Sequence, residues 1–190
     1  MNLRFRRSGL DFSRRRRKVN KTLAKEVGTW IGEIAIAVLF ALVLVYFVGY
    51  RADVVGPSML GTLAEGDEVL VNRFVYKLTQ PKTNDIVVFF PNGNEKSHLY
   101  IKRVIGVPGD TVQITEGILY VNGVPQPTPD GFSLMEDAGN AAAPLTLAPG
   151  EYFVLGDNRS HSIDSRFAEV GIIPAASIAG KVITGRTPFR

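Results

Sequence analysis

The chain contains no cysteine and only two histidines, His98 and His161. The absence of cysteine excludes disulfides, thiolate zinc sites and a thiol nucleophile. Two isolated histidines do not supply a His-rich metal site, and the sequence has no HExxH, GxGxxG or GxxxxGK(S/T) pattern. We therefore expect neither a metal nor a cofactor.

Acidic residues are scarce at the start of the chain. Residues 1–29 carry ten Lys/Arg and two Asp/Glu, a net charge of +8, whereas residues 30–190 carry twelve Lys/Arg and sixteen Asp/Glu, a net charge of −4. The basic run Arg14–Lys18 is typical of a tail that binds nucleic acid or of a signal that fixes membrane topology. The segment that follows favours the second interpretation, so nucleic acid is not a predicted partner.

A long uncharged run follows the basic tail. Residues 34–50 contain no charged side chain, and in residues 30–50 the only one is Glu33. A helix of this length is about 30 Å long, which is the hydrocarbon thickness of a bilayer. Trp30 and Tyr50 lie at its two ends, where interfacial aromatic residues are common.

This run predicts a single membrane anchor. It is longer than the apolar part of a cleavable signal peptide, and a helix that is apolar on all sides does not suit the core of so small a domain. Because basic residues remain on the cytoplasmic side, we predict a cytoplasmic tail at residues 1–29, a transmembrane helix at 30–50 and an extracytoplasmic domain at 51–190. The predicted location is the plasma membrane.

Beyond residue 51 the apolar residues occur in short β-branched runs without a long 3.6-residue period. Asn122 and Gly123 directly follow one of these runs, which is typical of a hairpin. The sequence predicts a mainly β fold, an antiparallel sheet domain with hairpins. Residues 125–150, rich in proline, alanine and glycine, are expected to form a loop insertion rather than core. The predicted strands are 68–71, 86–90, 99–107, 111–114, 118–121 and 152–155.

Three motifs stand out in this domain: residues 56–63 (GPSMLGTL), 102–110 (KRVIGVPGD) and 156–166 (GDNRSHSIDSR). A serine hydroxyl is a poor nucleophile unless a base takes its proton, and a neutral lysine can be that base. Lys102 lies in an apolar run, where burial would lower its pKa. Taken singly, Ser58 also fits an ordinary turn residue and Lys102 an ordinary edge charge. Only the combination of the three motifs favours a Ser/Lys site.

In order, residue type and spacing, the three motifs resemble the signature segments of bacterial type I signal peptidases, which are serine proteases with a Ser/Lys dyad. The resemblance extends from the apolar run to about Lys181, and residues 84–89 (NDIVVF) support it. It implies that Ser58 is the nucleophile, that Lys102 is the general base and that Ser162 hydrogen-bonds the lysine amine and orients it.

The resemblance also assigns supporting positions. Met59 matches a residue near the substrate groove, and Gly56 lies in the oxyanion region. Asp164 and Arg166 match a pair that steadies the site. Two further polar positions match residues that form the turn: Asp157 and Asn158.

The sequence departs from the family pattern at two positions. Gly61 stands where the family usually has proline, which loosens the backbone beside the nucleophile. Gly56 has no hydroxyl to donate to an oxyanion, as some members do. Neither change removes a catalytic group.

The implied function is that of a membrane-bound serine endopeptidase that removes N-terminal signal peptides from exported preproteins after small residues, in an Ala-x-Ala pattern. Its implied partners are preprotein signal peptides and the lipid bilayer; the sequence does not indicate an oligomeric state. A self-cleaving SOS-type repressor shares a Ser/Lys β domain but needs a DNA-binding N-terminal domain. A non-catalytic or narrow-specificity signal-peptidase-like factor in surface-fibre assembly is the remaining alternative. Such factors tend to lack the serine or the lysine, and both are present here.

Overall fold

The computed structural model describes residues 21–93, 98–128 and 134–184. The chain divides into two compact units, one ending at Val43 and one beginning at Leu44. Residues 1–20, most of the predicted cytoplasmic tail, lie outside the described residues. The predicted membrane boundaries at residues 30 and 50 therefore stay a prediction.

The first described element is helix α1, Lys21–Val48. Its stretch Lys25–Val43 is long and apolar enough to cross a membrane, and the described side chains of that stretch are exposed. Trp30, for example, is 68% exposed. A continuous apolar surface of this kind is unfavourable in water, so the helix could span a membrane.

The helix ends at Val48, two residues before Tyr50, the residue predicted at its outer end. Gly49 is a poor helix former, and from this residue the backbone pairs with a neighbouring strand instead. Tyr50 therefore belongs to strand β1, Gly49–Asp53.

The second unit is built from antiparallel strands. Besides β1 it contains, within the described residues, one further α-helical turn, α2, Val75–Leu78. The other strands are β2 Glu68–Asn72, β3 Ile86–Phe89, β4 Tyr100–Gly106, β5 Thr111–Thr115, β6 Ile118–Val121, β7 Val124–Pro125, β8 Leu145–Thr146, β9 Glu151–Leu155, β10 Ile173–Pro174 and β11 Ile178–Thr184.

These strands form two sheets, which confirms the predicted antiparallel β fold. The larger sheet has seven strands in the order β1-β2-β11-β3-β4-β9-β10, and the smaller has four in the order β7-β6-β5-β8. Every strand pair is antiparallel. Each of the six predicted strands ends within one residue of an observed one. The predicted hairpin turn joins β6 to β7, with Asn122 and Gly123 at φ 54° and 76°.

The expectation that residues 125–150 stand apart from the core is wrong. Met135, Ala141 and Leu147 are buried in the cluster that covers the small sheet, together with Phe153. The physical reason is that β8 pairs with β5 and so carries its apolar neighbours onto the sheet. Residues 129–133 of this segment lie outside the described residues.

Candidate active site

Ser58 and Lys102 meet although they lie 44 residues apart in the chain. Ser58 is the central residue of a short 3-10 turn, Pro57–Met59, which follows β1. Lys102 is in the middle of β4, where it pairs with Val87 of β3. The Lys102 Nζ and Ser58 Oγ atoms are 2.7 Å apart, within hydrogen-bond distance.

Burial changes the acidity of this lysine. Lys102 is 5% exposed, and loss of solvation lowers its pKa from 10.5 to about 8, while the negative charge of Asp164 opposes the change. The ring of Tyr100, whose centroid is 5.4 Å from the amine, also favours the charged form. Desolvation prevails, so a neutral amine is accessible near neutral pH.

The backbone of Ser58 is fixed by the third motif. The Asn158 N–H donates to the Ser58 carbonyl oxygen at 3.0 Å, and the Asn158 Nδ2 donates to the Pro57 carbonyl oxygen at 3.1 Å. Asn158 therefore does more than form a turn, because it joins this motif to the motif of the nucleophile.

Gly156 permits this close packing. A Cβ at this position would lie 2.6 Å from the Ser58 carbonyl oxygen and 2.3 Å from Ser162 Oγ. Only a residue without a side chain leaves room for both groups.

Ser162 is close to the pair, but it does not make the predicted hydrogen bond. Its Oγ is buried and has no hydrogen-bond partner among the described residues. The amine of Lys102 is directed to Ser58 instead. The predicted role of Ser162 in orienting the lysine thus stays a proposal, and its hydroxyl is a buried polar group with an unused hydrogen-bonding capacity.

Asp164 and Arg166 form a fully buried ion pair. Arg166 donates from Nε to Asp164 Oδ1 at 2.8 Å and from Nη2 to Asp164 Oδ2 at 3.0 Å. The same guanidinium donates to the carbonyl oxygens of Arg159 and Ser162, and Asp164 accepts from the Gly156 N–H. This ion pair and its hydrogen bonds to the backbone fix the conformation of the loop between Gly156 and Arg166.

Sequence reasoning missed a second ion pair. Asp157, which we predicted as a turn residue, accepts from Nε and Nη2 of Arg103, both at 2.7 Å. The Thr62 hydroxyl donates to Asp157 at 2.6 Å and accepts from Arg103 at 3.0 Å. One signal was available: Arg103 lies in an apolar strand, and a charge in such a place requires a partner.

The residues beside the nucleophile have different environments. Met59 is buried in the core with Val54, Leu63 and Ile101, so its side chain lies beneath Ser58 and does not line an open surface. Its predicted contact with substrate stays a prediction. Gly56 has φ 80° and ψ 173°, a conformation that favours glycine, and its oxyanion role is likewise a prediction.

Gly61 is part of a defined turn. The Thr62 N–H donates to the Met59 carbonyl oxygen at 3.1 Å, Leu60 has φ −55° and ψ 140°, and Gly61 has φ 100°. These values define a type II turn, which requires positive φ at its third residue. Proline, with φ fixed near −65°, cannot adopt this conformation.

Among the described residues, no group of three or more histidine or carboxylate side chains is arranged to hold a metal ion. The arrangement found is a serine hydroxyl bonded to a buried lysine of lowered pKa, which fits a serine hydrolase whose base is a lysine.

Comparison with known proteins gives the family. The family described as signal peptidase, peptidase S26, matches residues 27–185. The chain is 38% identical over 174 residues to signal peptidase I T of Bacillus subtilis strain 168, covering 84% of this chain and 86% of that one. It is 37% identical over 182 residues to signal peptidase IB of Staphylococcus aureus strain COL, covering 88% and 93%.

A solved signal peptidase I from Enterococcus faecalis V583 is 33% identical, with a TM-score of 0.42, and covers 56% of this chain and 98% of that one. The family and the two relatives establish that the chain belongs to the signal peptidase family, peptidase S26. It is therefore a peptidase that acts on signal peptides.

Proposed function

We propose that this chain is a membrane-anchored serine endopeptidase that cleaves signal peptides from exported preproteins after small residues, with Ser58 as nucleophile and Lys102 as general base. The observation that carries the proposal is the 2.7 Å contact between Lys102 Nζ and Ser58 Oγ. The lowered pKa of Lys102 supports it, because only the neutral amine can accept a proton.

The proposed reaction has two stages. Ser58 Oγ attacks the carbonyl carbon of the scissile bond while its proton passes to Lys102 Nζ. The tetrahedral intermediate collapses, the Lys102 ammonium gives its proton to the leaving amine, and an ester with Ser58 remains. Lys102 then takes a proton from a water molecule whose oxygen attacks the ester. As the second intermediate collapses, Lys102 returns the proton to Ser58 Oγ, and the signal peptide is released as an acid.

The sheet topology supports a binding mode for the substrate. Strand β1 pairs with β2 and forms one edge of the seven-stranded sheet, and the chain runs from β1 to Ser58 within five residues. An extended peptide can add to such an edge by backbone hydrogen bonds. Residues one and three positions before the cut would face the same way, which suits an Ala-x-Ala recognition pattern.

The helix α1 supplies the proposed anchor. Its apolar stretch Lys25–Val43 would hold the peptidase in the membrane that also holds the substrate's apolar segment. Confinement to one membrane raises the effective concentration of the two. The net charge of +8 in residues 1–29 supports a cytoplasmic tail with the sheets on the other side of the membrane.

The test is cleavage of a preprotein with an Ala-x-Ala site by the full chain in detergent. The variants Ser58→Ala and Lys102→Ala are compared with Ser160→Ala and Lys82→Ala, two exposed residues of the same types. We expect cleavage after the second alanine by the wild type and by both controls, and none by the first two variants. Cleavage by Ser58→Ala would refute the nucleophile, and a folded but inactive wild type would favour the non-catalytic alternative.

A further inference from the structure

The segment from Arg73 to Lys82 is cationic and apolar at the same time. It carries Arg73, Lys77 and Lys82 and no acidic residue. None of the three cations forms a salt bridge within the described part of the chain, and all three are exposed. The charge of this surface is therefore available to an external partner.

Two large apolar side chains lie beside these cations. Phe74 is 45% exposed and Leu78 is 75% exposed. Phe74 caps the turn α2 in a helical conformation, and its spacing of four residues from Leu78 places the two on one face of the turn. Arg73 and Lys77 both line one cavity beside it. The surface thus combines an apolar pair with a cationic pair, which is the composition of a segment lying at the boundary of headgroups and acyl chains.

The turn is held in a fixed position. Asn72 Oδ1 accepts from the N–H groups of Phe74 and Val75 at 2.8 and 3.0 Å. The Tyr76 hydroxyl donates to Asp85 at 2.9 Å, and the same carboxylate binds Lys181. Phe74 and Leu78 are therefore exposed on a turn that hydrogen bonds hold to the sheet.

The position of the turn in the chain identifies the partner. Gly49, the residue directly after α1, pairs with Asn72, the residue directly before Arg73. The Arg73 guanidinium lies 5.3 Å from the centre of the Tyr50 ring. The cationic surface therefore begins at the point where the proposed anchor enters the sheet domain.

Two cavities at this place have room for a headgroup. One of about 420 Å³ is lined by Arg73, Lys77 and Tyr76 among others. The other, of about 650 Å³, is lined by Arg73, Tyr50 and Ser177 among others. The cations at these cavities, Arg73 at both and Lys77 at one, are the groups that can bind the phosphate of a headgroup.

We propose that the α2 surface, consisting of Arg73, Phe74, Lys77 and Leu78, contacts the surface of an anionic phospholipid bilayer. Phe74 and Leu78 enter the headgroup boundary, and Arg73 and Lys77 bind the phosphate groups of anionic lipids. The contact rests on the proposed anchoring by α1, and it fixes the orientation of the sheet domain on the membrane. Each of the two cations would strengthen it about fivefold.

The chain has no cysteine, so a single introduced thiol can be labelled at one position. The full chain carrying Leu78→Cys with an environment-sensitive dye is reconstituted into vesicles of phosphatidylcholine with or without phosphatidylglycerol, some lipids bearing a quencher. The control probe is Val124→Cys, a position in the small sheet that is also exposed, at 58%. We expect quenching of the Leu78 probe in anionic vesicles, less in neutral ones, and none of the Val124 probe.

Charge removal completes the test. Arg73→Gln with Lys77→Gln should reduce the quenching at Leu78 in anionic vesicles to its level in neutral ones and leave cleavage of a soluble peptide in detergent unchanged. Equal quenching of both probes, none of either, or a signal that follows protein concentration and not lipid charge would overturn the proposal. Flotation with neutral vesicles checks the anchor separately. If the chain floats but the Leu78 probe is not quenched, the α2 contact alone is refuted. If the chain does not float, both the anchoring by α1 and the α2 contact are refuted.

Discussion

Arg103 and Asp157 are joined by two parallel hydrogen bonds of 2.7 Å each, and this pair connects the strand of the proposed base to the loop that follows β9. The side chain of Asp157 is 7% exposed and that of Arg103 is 21% exposed. Arg103→Gln would leave the carboxylate buried without its cation, so we expect a loss of about 2–3 kcal/mol in the free energy of unfolding. Thermal unfolding of the full chain in detergent measures it.

Arg51→Gln is the matched control for this change. Its ion pair with Glu68 is exposed, at 73% and 38%, and a pair of this kind contributes less than about 1 kcal/mol. The double variant Arg103→Gln with Asp157→Asn should recover part of the loss, because no unpaired charge remains. Equal losses for Arg51→Gln and Arg103→Gln would contradict the buried network.

The activity should fall steeply in acid. The pKa of Lys102 is lowered by burial to about 8, and only the neutral amine is active as a base. Between pH 8 and pH 6 we expect kcat/KM to fall about 50-fold, since the neutral fraction falls tenfold for each unit below the pKa. A pH profile measured with a substrate that does not titrate in this range tests the assignment, and a flat profile down to pH 5 would refute it.

The same burial should reduce stability. The pKa of this lysine is lower in the folded state than its value of 10.5 in the unfolded state. Its charged form therefore destabilises the folded protein. The difference between the pKa of about 8 in the folded state and 10.5 in the unfolded state corresponds to a loss of at most about 3 kcal/mol in the free energy of unfolding. Below pH 8 this penalty is complete, and it disappears as the pH rises from 8 to 10.5. We expect Lys102→Met to be inactive yet more stable than wild type at pH 7, with the difference in melting temperature shrinking towards pH 10.5.

Gly156 offers a test of close packing at the site. In Gly156→Ala the new methyl group would overlap the Ser58 carbonyl oxygen and the Ser162 side chain, so we expect cleavage to be lost. Gly106→Ala is the control, because the nearest atoms to its methyl group would belong to the side chains of Leu147, Val112 and Phe153 in the core of the small sheet. That variant should lose stability but keep kcat. An active Gly156→Ala enzyme would show that Ser58 and Ser162 are less constrained than the structure indicates.

Gly61→Pro tests whether the usual residue of the family fits this chain. Gly61 has φ 100° in a type II turn, which proline cannot adopt, so the turn beside Ser58 must rearrange. We expect lower stability and slower cleavage. Gly61→Ala, which keeps the N–H, should lose only about 1–2 kcal/mol. A proline variant as stable and active as wild type would mean that the turn has another conformation in solution.

Much of this architecture follows from local sequence patterns. The six predicted strands were recognisable because apolar β-branched runs alternate with turn residues, and the contact between Ser58 and Lys102 follows from the family resemblance. The remainder depends on contacts between distant residues. Nothing in the local pattern of Met135 or Leu147 indicates that β8 adds to the small sheet, and the ion pair of Arg103 with Asp157 joins residues 54 positions apart. Tyr50 lies in β1 and not in the helix, and its local sequence does not distinguish the two, because an aromatic residue fits a membrane interface and a strand equally well.

The direct passage from α1 to β1 would restrict the reach of an enzyme anchored by α1. Val48 ends the helix and Gly49 begins the strand, so ten peptide units separate the helix from Ser58, and a fully extended chain would span about 33 Å. As the proposed anchor, α1 would act as a short tether, and the proposed nucleophile would have a small radius of action around the point where the chain leaves the helix. Lengthening the connection at Gly49 with a flexible spacer would enlarge that radius, and sites farther along a preprotein would become accessible to the same serine.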